Sequence, residues 1–260
     1  ARHVWRRAPT DDELDGLAAL AEEAATTLGS FDSGLRFAIA AILQSPNFVF
    51  RTEVGELIDG QHVFTDLELA SRLSFLLWNS GPDEELLSAA EAGELSTSSG
   101  LLQHAERMLN SPRARDGMRN FFIEYLRLQE LDELRKDPTL FEHYDPILGS
   151  HAKEEILRSL ERLAFDEPGD FREFMTTRTT FLSPRLAAIY GLPAPTAEGF
   201  GRVELPEDGP RLGLLGQVAF LALHAHEVST SATRRGLAVR SILLCQNIPE
   251  PPVDVDTSIP

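Results

Sequence analysis

Helix-start signals recur along this chain so often that they dictate a succession of short, separately punctuated helices. Thr10-Asp11-Asp12-Glu13 and Thr65-Asp66-Leu67-Glu68 both have the capping-box spacing, in which a hydroxyl and a carboxylate satisfy orphan amides reciprocally. Gly81-Pro82-Asp83, Ser111-Pro112 and Ser183-Pro184 place proline in a first turn, where its missing donor costs nothing. After the first box, Leu14, Leu17, Ala18, Ala21, Ala24, Ala25 and Leu28 fall at helical spacing until Gly29, a left-handed stop. A second helix starts at Asp32 or Ser33 and stops at Ser45, because Pro46 disfavours helical backbone in the residue before it. Apolar residues nearly surround the helix Leu69–Trp78, a pattern that predicts deep burial. Further helices are predicted over about 98–110, 145–165, 210–224 and 231–246.

Strand evidence is confined to FGRVEL at 200–205, inside a proline- and glycine-rich stretch, 191–210, that reads as a long loop. The fold class is therefore all-α, an irregular multi-helix bundle of about ten helices with at most a short β-ribbon near 200–205. Residues 1–54 read as an N-terminal helical hairpin region, too small to hold a core alone, that packs on a main helical domain over 55–247. Val54–Thr65 is the joint between them, and 248–260, with prolines at 249, 251, 252 and 260, is a proline-rich linker. Both ends read as cut, so the sequence is expected to be an internal piece of a longer protein with a further C-terminal domain.

The charge sum narrows the partners. With 24 Lys and Arg against 41 Asp and Glu, the net charge is −17, a field that repels phosphate backbones and anionic lipid and argues against nucleic acid. No apolar run nears the roughly 20 residues that span a bilayer, which argues against membrane insertion. Cys245, the single cysteine, can form neither an internal disulfide nor a thiolate cage, and these residues cannot carry a haem-attachment motif. Glycine-rich phosphate loops, a G-x-S-x-G elbow, H-E-x-x-H and C-x-x-C are all absent from the sequence.

The densest polar cluster runs from His224 through His226, Glu227, Ser229, Thr230 and Ser231 to Arg234, Arg235 and Gly236. Two imidazoles two residues apart can ligate a metal from an extended segment, with Glu227 as a third ligand, which would suit a metal-assisted hydrolase. The alternative sets both histidines at a helix C-terminus, against its dipole, with a hydroxyl of 229–231 capping the next helix. Arg234 and Arg235 read as partners of internal salt bridges or as an anion clamp. Glu22-Glu23, Glu84-Glu85 and Glu154-Glu155 read as solvated helix faces, since adjacent helical positions diverge. Trp78, Phe121, Phe122 and Tyr125 read as core, and Cys245 as a buried, inert thiol.

Five segments carry a resemblance, in order along the chain. They are Phe37–Arg51 (FAIAAILQSPNFVFR), Leu69–Ser80 (LASRLSFLLWNS), Phe181–Gly191 (FLSPRLAAIYG), Arg211–Gln217 (RLGLLGQ) and Thr233–Arg240 (TRRGLAVR) running on to Leu244-Cys245-Gln246. Together they resemble tandem domains of unknown function associated with c-type cytochromes in large secreted proteins of planctomycetes and myxobacteria. The family commonly has a proline before the last helix, where this chain has Ala232-Thr233. The resemblance implies a helical module of a periplasmic or extracellular protein, with neighbouring cytochrome-like domains of the same chain as partners. It implies haem c in the full-length protein and no cofactor held within this piece, with electron transfer or oxidation as the role. On that role, His224 or His226, with Arg235 beside them, is expected to meet haem carried by a neighbouring C-terminal domain. A non-redox structural or binding scaffold is the other reading. Enzymatic activity and oligomeric state stay open.

Overall fold

The computed structural model describes residues 1–249; residues 250–260 of the expected proline-rich linker lie outside them. The chain divides into two compact units, Ala1–Met118 and Arg119–Pro260.

The first unit begins with α1 (Arg2–Trp5), α2 (Asp11–Leu28), α3 (Phe31–Gln44) and α4 (Pro46–Val49). Its hairpin β1 (Glu56–Ile58) and β2 (Gln61–Val63) precedes α5 (Asp66–Trp78), α6 (Glu84–Glu91) and α7 (Ser98–Leu109), and α8 (Pro112–Tyr125) runs through the division. Both capping boxes form as expected, at Thr10 with Glu13 and at Thr65 with Glu68. Glu68 does more than cap. Its Oε2 accepts from Thr65 while Oε1 accepts the amides of Val54 and Gly55 at 2.7 and 3.0 Å, tying the end of the N-terminal segment to the start of α5. Antiparallel α2 and α3 approach closely at Gly34, where a methyl group would run into the Ala21 carbonyl.

The N-terminal segment packs on α5 and α6. Arg2 reaches Glu84 and Glu91, and Arg51 lies 4.3 Å from the centroid of the Phe75 ring. The compact unit that holds this segment extends to residue 118. A hairpin of two helices buries too little apolar surface to stand alone, and most of its large apolar side chains, among them Phe31, Leu35, Phe37 and Ile39, stay exposed. Trp78 anchors α5 on α7, 3% exposed, with its indole Nε1 donating to the Met108 carbonyl at 2.9 Å. Pro82 departs from the expected placement. It precedes the Asp83 cap of α6 instead of entering the helix.

The second unit carries a 3₁₀ segment (Leu128–Glu133), α9 (Leu148–Glu161) closing in a π turn (Arg162–Asp166), and a second 3₁₀ turn (Phe171–Met175). There follow β3 (Thr179–Leu182), α10 (Pro184–Tyr190), β4 (Gly201–Glu204), α11 (Gly213–Gly216), α12 (Val218–Leu223) and α13 (Ala232–Ala238) with a closing π turn. The ribbon expected near 200–205 pairs antiparallel with β3, with Phe181 opposite Arg202. The hairpin at 56–63 is a further one, in the segment read as a joint. The helix expected over 210–224 is two short ones, because Gln217 adopts extended backbone between them. Leu128, Leu131, Ile156, Leu160, Leu182 and Leu186 form the core around α9. Gly149 admits the Leu131 carbonyl against α9.

Candidate functional site

The buried stripe of α9 carries Leu148, Ala152, Ile156, Ser159 and Leu160, and Glu155 lies on it, 0% exposed. Its Oε1 accepts from Tyr190 Oη at 2.5 Å and from Thr180 Oγ1 at 2.7 Å, and the Val218 backbone amide is directed at the same carboxylate. Ser159 donates to the Glu155 carbonyl and accepts from Gln217 Nε2 at 3.1 Å. Burial pushes the Glu155 carboxyl up to about 7, against the opposing effect of the Tyr190 and Thr180 hydroxyls and of Arg211. Burial and the adjacent carboxylate likewise raise Tyr190. The pair Glu154-Glu155 is thus split in character. Glu154 pairs with Arg119 and Arg158, while Glu155 is a core residue and not part of a solvated face. Its burial was legible in principle, since Ala152 and Ser159 fall at −3 and +4 from it on the same helix face.

Arg211 connects this network to open space. Its guanidinium lies 4.7 Å from the Tyr190 ring centroid and donates to the Gly216 carbonyl at 3.0 Å. It also lines a cavity of about 550 Å³. Leu134, Leu148, Ile189, Val218 and Leu221 supply apolar wall, and Lys136 and Arg235 are the other cations that line the cavity. Lys136 donates to the His226 carbonyl at 2.7 Å, and burial lowers its pKa, aided by Arg234 and opposed by Glu227.

The sequence-predicted residues separate. Arg235 lines the large cavity and donates to Thr230 Oγ1 at 3.3 Å, and Arg234 donates to the Ala225 carbonyl. Neither pairs with a carboxylate among the described residues, so the expected salt bridges are replaced by bonds to neutral oxygen. His224 ends α12 and stacks edge-on against Phe220, 4.8 Å between centroids, and burial lowers its pKa. Ser231 caps α13 by accepting from the Arg234 amide, as the capping reading expected. His226 is exposed, on a backbone pinned from both sides by Ser229 and Lys136. An open imidazole on a fixed backbone suits the neutral nitrogen donor that haem iron takes; the half-buried His224 ring suits it less. Among the described residues no three His, Cys, Asp or Glu side chains are grouped to hold a metal ion. The trio His224, His226 and Glu227 is therefore not assembled, because the first ring turns onto Phe220.

Two further expectations are corrected. Cys245 is exposed, with left-handed backbone at φ 50°, past the end of the final π turn. Phe121 and Tyr125, 57% and 39% exposed, stack on each other rather than entering the core.

Three families of unknown function match the chain in tandem. They are PSD5 (DUF1595) at residues 1–53, PSD4 (DUF1592) at 64–192 and PSCyt3 (DUF1588) at 211–260. No curated protein and no solved structure matches the chain. Among the described residues no helix is long and apolar enough to cross a membrane.

Proposed function

The chain belongs to the tandem cytochrome c-associated domains of unknown function, and on that premise we propose that it is the helical, extracytoplasmic module of a multidomain electron-transfer protein. Haem c is carried by another part of the parent chain and supplies one-electron redox chemistry. The observation that carries this reading is the ordered run of three cytochrome-associated matches along one polypeptide. The module's own residues contribute a framework and a binding cavity. His226 is the residue best suited to face a neighbouring haem, since its ring is exposed while its backbone is held. His224 ends α12 and Arg235 lines the cavity wall.

The test is visible spectroscopy of the purified parent protein, oxidised and reduced. A c-type haem spectrum is expected, with His226→Ala altering the low-spin bands and His224→Ala leaving them in place. A parent protein free of haem overturns the electron-transfer reading in favour of a non-redox scaffold. Identical spectra for wild type and His226→Ala overturn the ligand assignment alone.

A further inference from the structure

The cavity in the second unit has a charge that the rest of the chain does not. The protein carries −17 overall, yet three of the side chains lining this cavity are the cations Lys136, Arg211 and Arg235. None of the three forms an ion pair with a carboxylate among the described residues. Lys136 bonds to a carbonyl, Arg211 to a carbonyl and Arg235 to a hydroxyl. Carboxylates do lie within electrostatic range: Glu155 beyond Arg211, Glu227 near Lys136, and the exposed Glu142 in the cavity wall. Arg234 adds a further positive charge near Lys136. Lys136 is only 9% exposed, and a cation withdrawn from water without a counter-ion is costly unless an anion arrives to meet it.

The rest of the wall excludes a simple inorganic anion as the best fit. Leu134, Leu148, Ile189, Val218 and Leu221 present apolar surface, and about 550 Å³ falls in the range of roughly 300–1,000 Å³ typical of pockets for small organic molecules. We propose that this cavity binds an organic carboxylate with an apolar body, its anionic end held between Lys136, Arg211 and Arg235 and its body against the leucines of the wall. Hydrogen bonds from charged donors fix the head group, and burial of the tail supplies the remaining affinity. The proposal is independent of where haem is carried.

Calorimetric titration of the whole chain with decanoate tests it, with decanol as the uncharged counterpart. Saturable binding of decanoate to one site is expected, with decanol weaker by about tenfold or more, the loss of a charged hydrogen bond. Arg235→Met and Lys136→Met should each weaken decanoate by about tenfold and leave decanol nearly unchanged. Arg172→Met, a control at an exposed cation outside the cavity, should change neither. Circular dichroism melting of each variant separates lost binding from lost folding, and the half-exposed Arg235 is the substitution expected to leave the fold intact. Equal affinity for acid and alcohol, or undiminished decanoate binding in a folded Arg235→Met, would overturn the proposal. So would the absence of saturable binding to wild type by decanoate and by 1-naphthoate, which tests a second body shape.

Discussion

Tyr190 donates its phenolic hydroxyl to Glu155 Oε1 across 2.5 Å, joining α10 to the fully buried face of α9. The two residues lie in a segment matched as one family, yet Arg211, which lies over the Tyr190 ring, and Gln217, which donates to Ser159 on the same helix as Glu155, lie in the next. The hydrogen-bonded centre of the second unit therefore spans a family boundary.

Glu155 gives the protein a stability contribution of unusual sign. Its folded pKa is about 7, above the ordinary carboxyl value of 4.5. Between these values the folded chain keeps a proton that the unfolded chain releases, so stability falls as pH rises through that window. Below it both states are protonated, and above it both are ionised. Denaturant unfolding of wild type and Glu155→Gln at pH 4 to 8 should show the difference between them shift against wild type by on the order of 3 kcal/mol. Parallel pH profiles for the two proteins would remove the claim.

Tyr190→Phe should push the Glu155 carboxyl still higher, because it deletes one of the two hydroxyls that stabilise the ionised form. Infrared spectroscopy reads this directly. The protonated-carboxyl band lost in Glu155→Gln should persist to higher pH in Tyr190→Phe, and a band that titrates at the wild-type pH would contradict it.

Thr65→Ala removes the hydroxyl that accepts from the Glu68 amide and donates to its carboxylate. A loss of about 1 kcal/mol is expected from the cap. Glu68→Ala should cost more, since it also frees the Val54 and Gly55 amides. Equal losses in the two unfolding curves would show that the amides find water without penalty.

Gly149→Ala inserts a methyl group against the Leu131 carbonyl, which is backbone and cannot rotate away. Overpacking of this kind costs roughly 1–3 kcal/mol. A melting temperature equal to that of wild type would mean that the 3₁₀ segment moves freely off α9.

Cys245, exposed beyond the final turn, should react with a maleimide in the native protein as fast as in denaturant. Labelling that requires unfolding would place the thiol in the apolar surroundings its sequence neighbours suggest.

The helical fold was largely legible because capping is local. Thr10, Thr65, Ser111 and Ser183 announce helices through groups within three residues of themselves. Gln217 broke an expected helix without any local marker, because its amide is held by Ser159, 58 positions away. The same limit hid the site. Glu155 looks like one of many acidic helix residues until Tyr190 and Thr180 are brought beside it by β3 and α10. Lys136 sits in an irregular stretch whose spacing carries no period, and its partner, the His226 carbonyl, is backbone and leaves no trace in residue type. Arg235 stood out because it is in a dense polar run, whereas the apolar wall that the fold sets around it comes from residues far away in sequence.

The contrast between a chain of negative net charge and a cation-lined cavity also sets the kinetics of entry. An approaching carboxylate first meets long-range repulsion from a chain of net charge −17 and only at close range the attraction of Lys136, Arg211 and Arg235. Added salt screens the distant field far more than contacts made at the cavity wall. Association should accordingly quicken with ionic strength while release changes little, the reverse of what electrostatic steering produces.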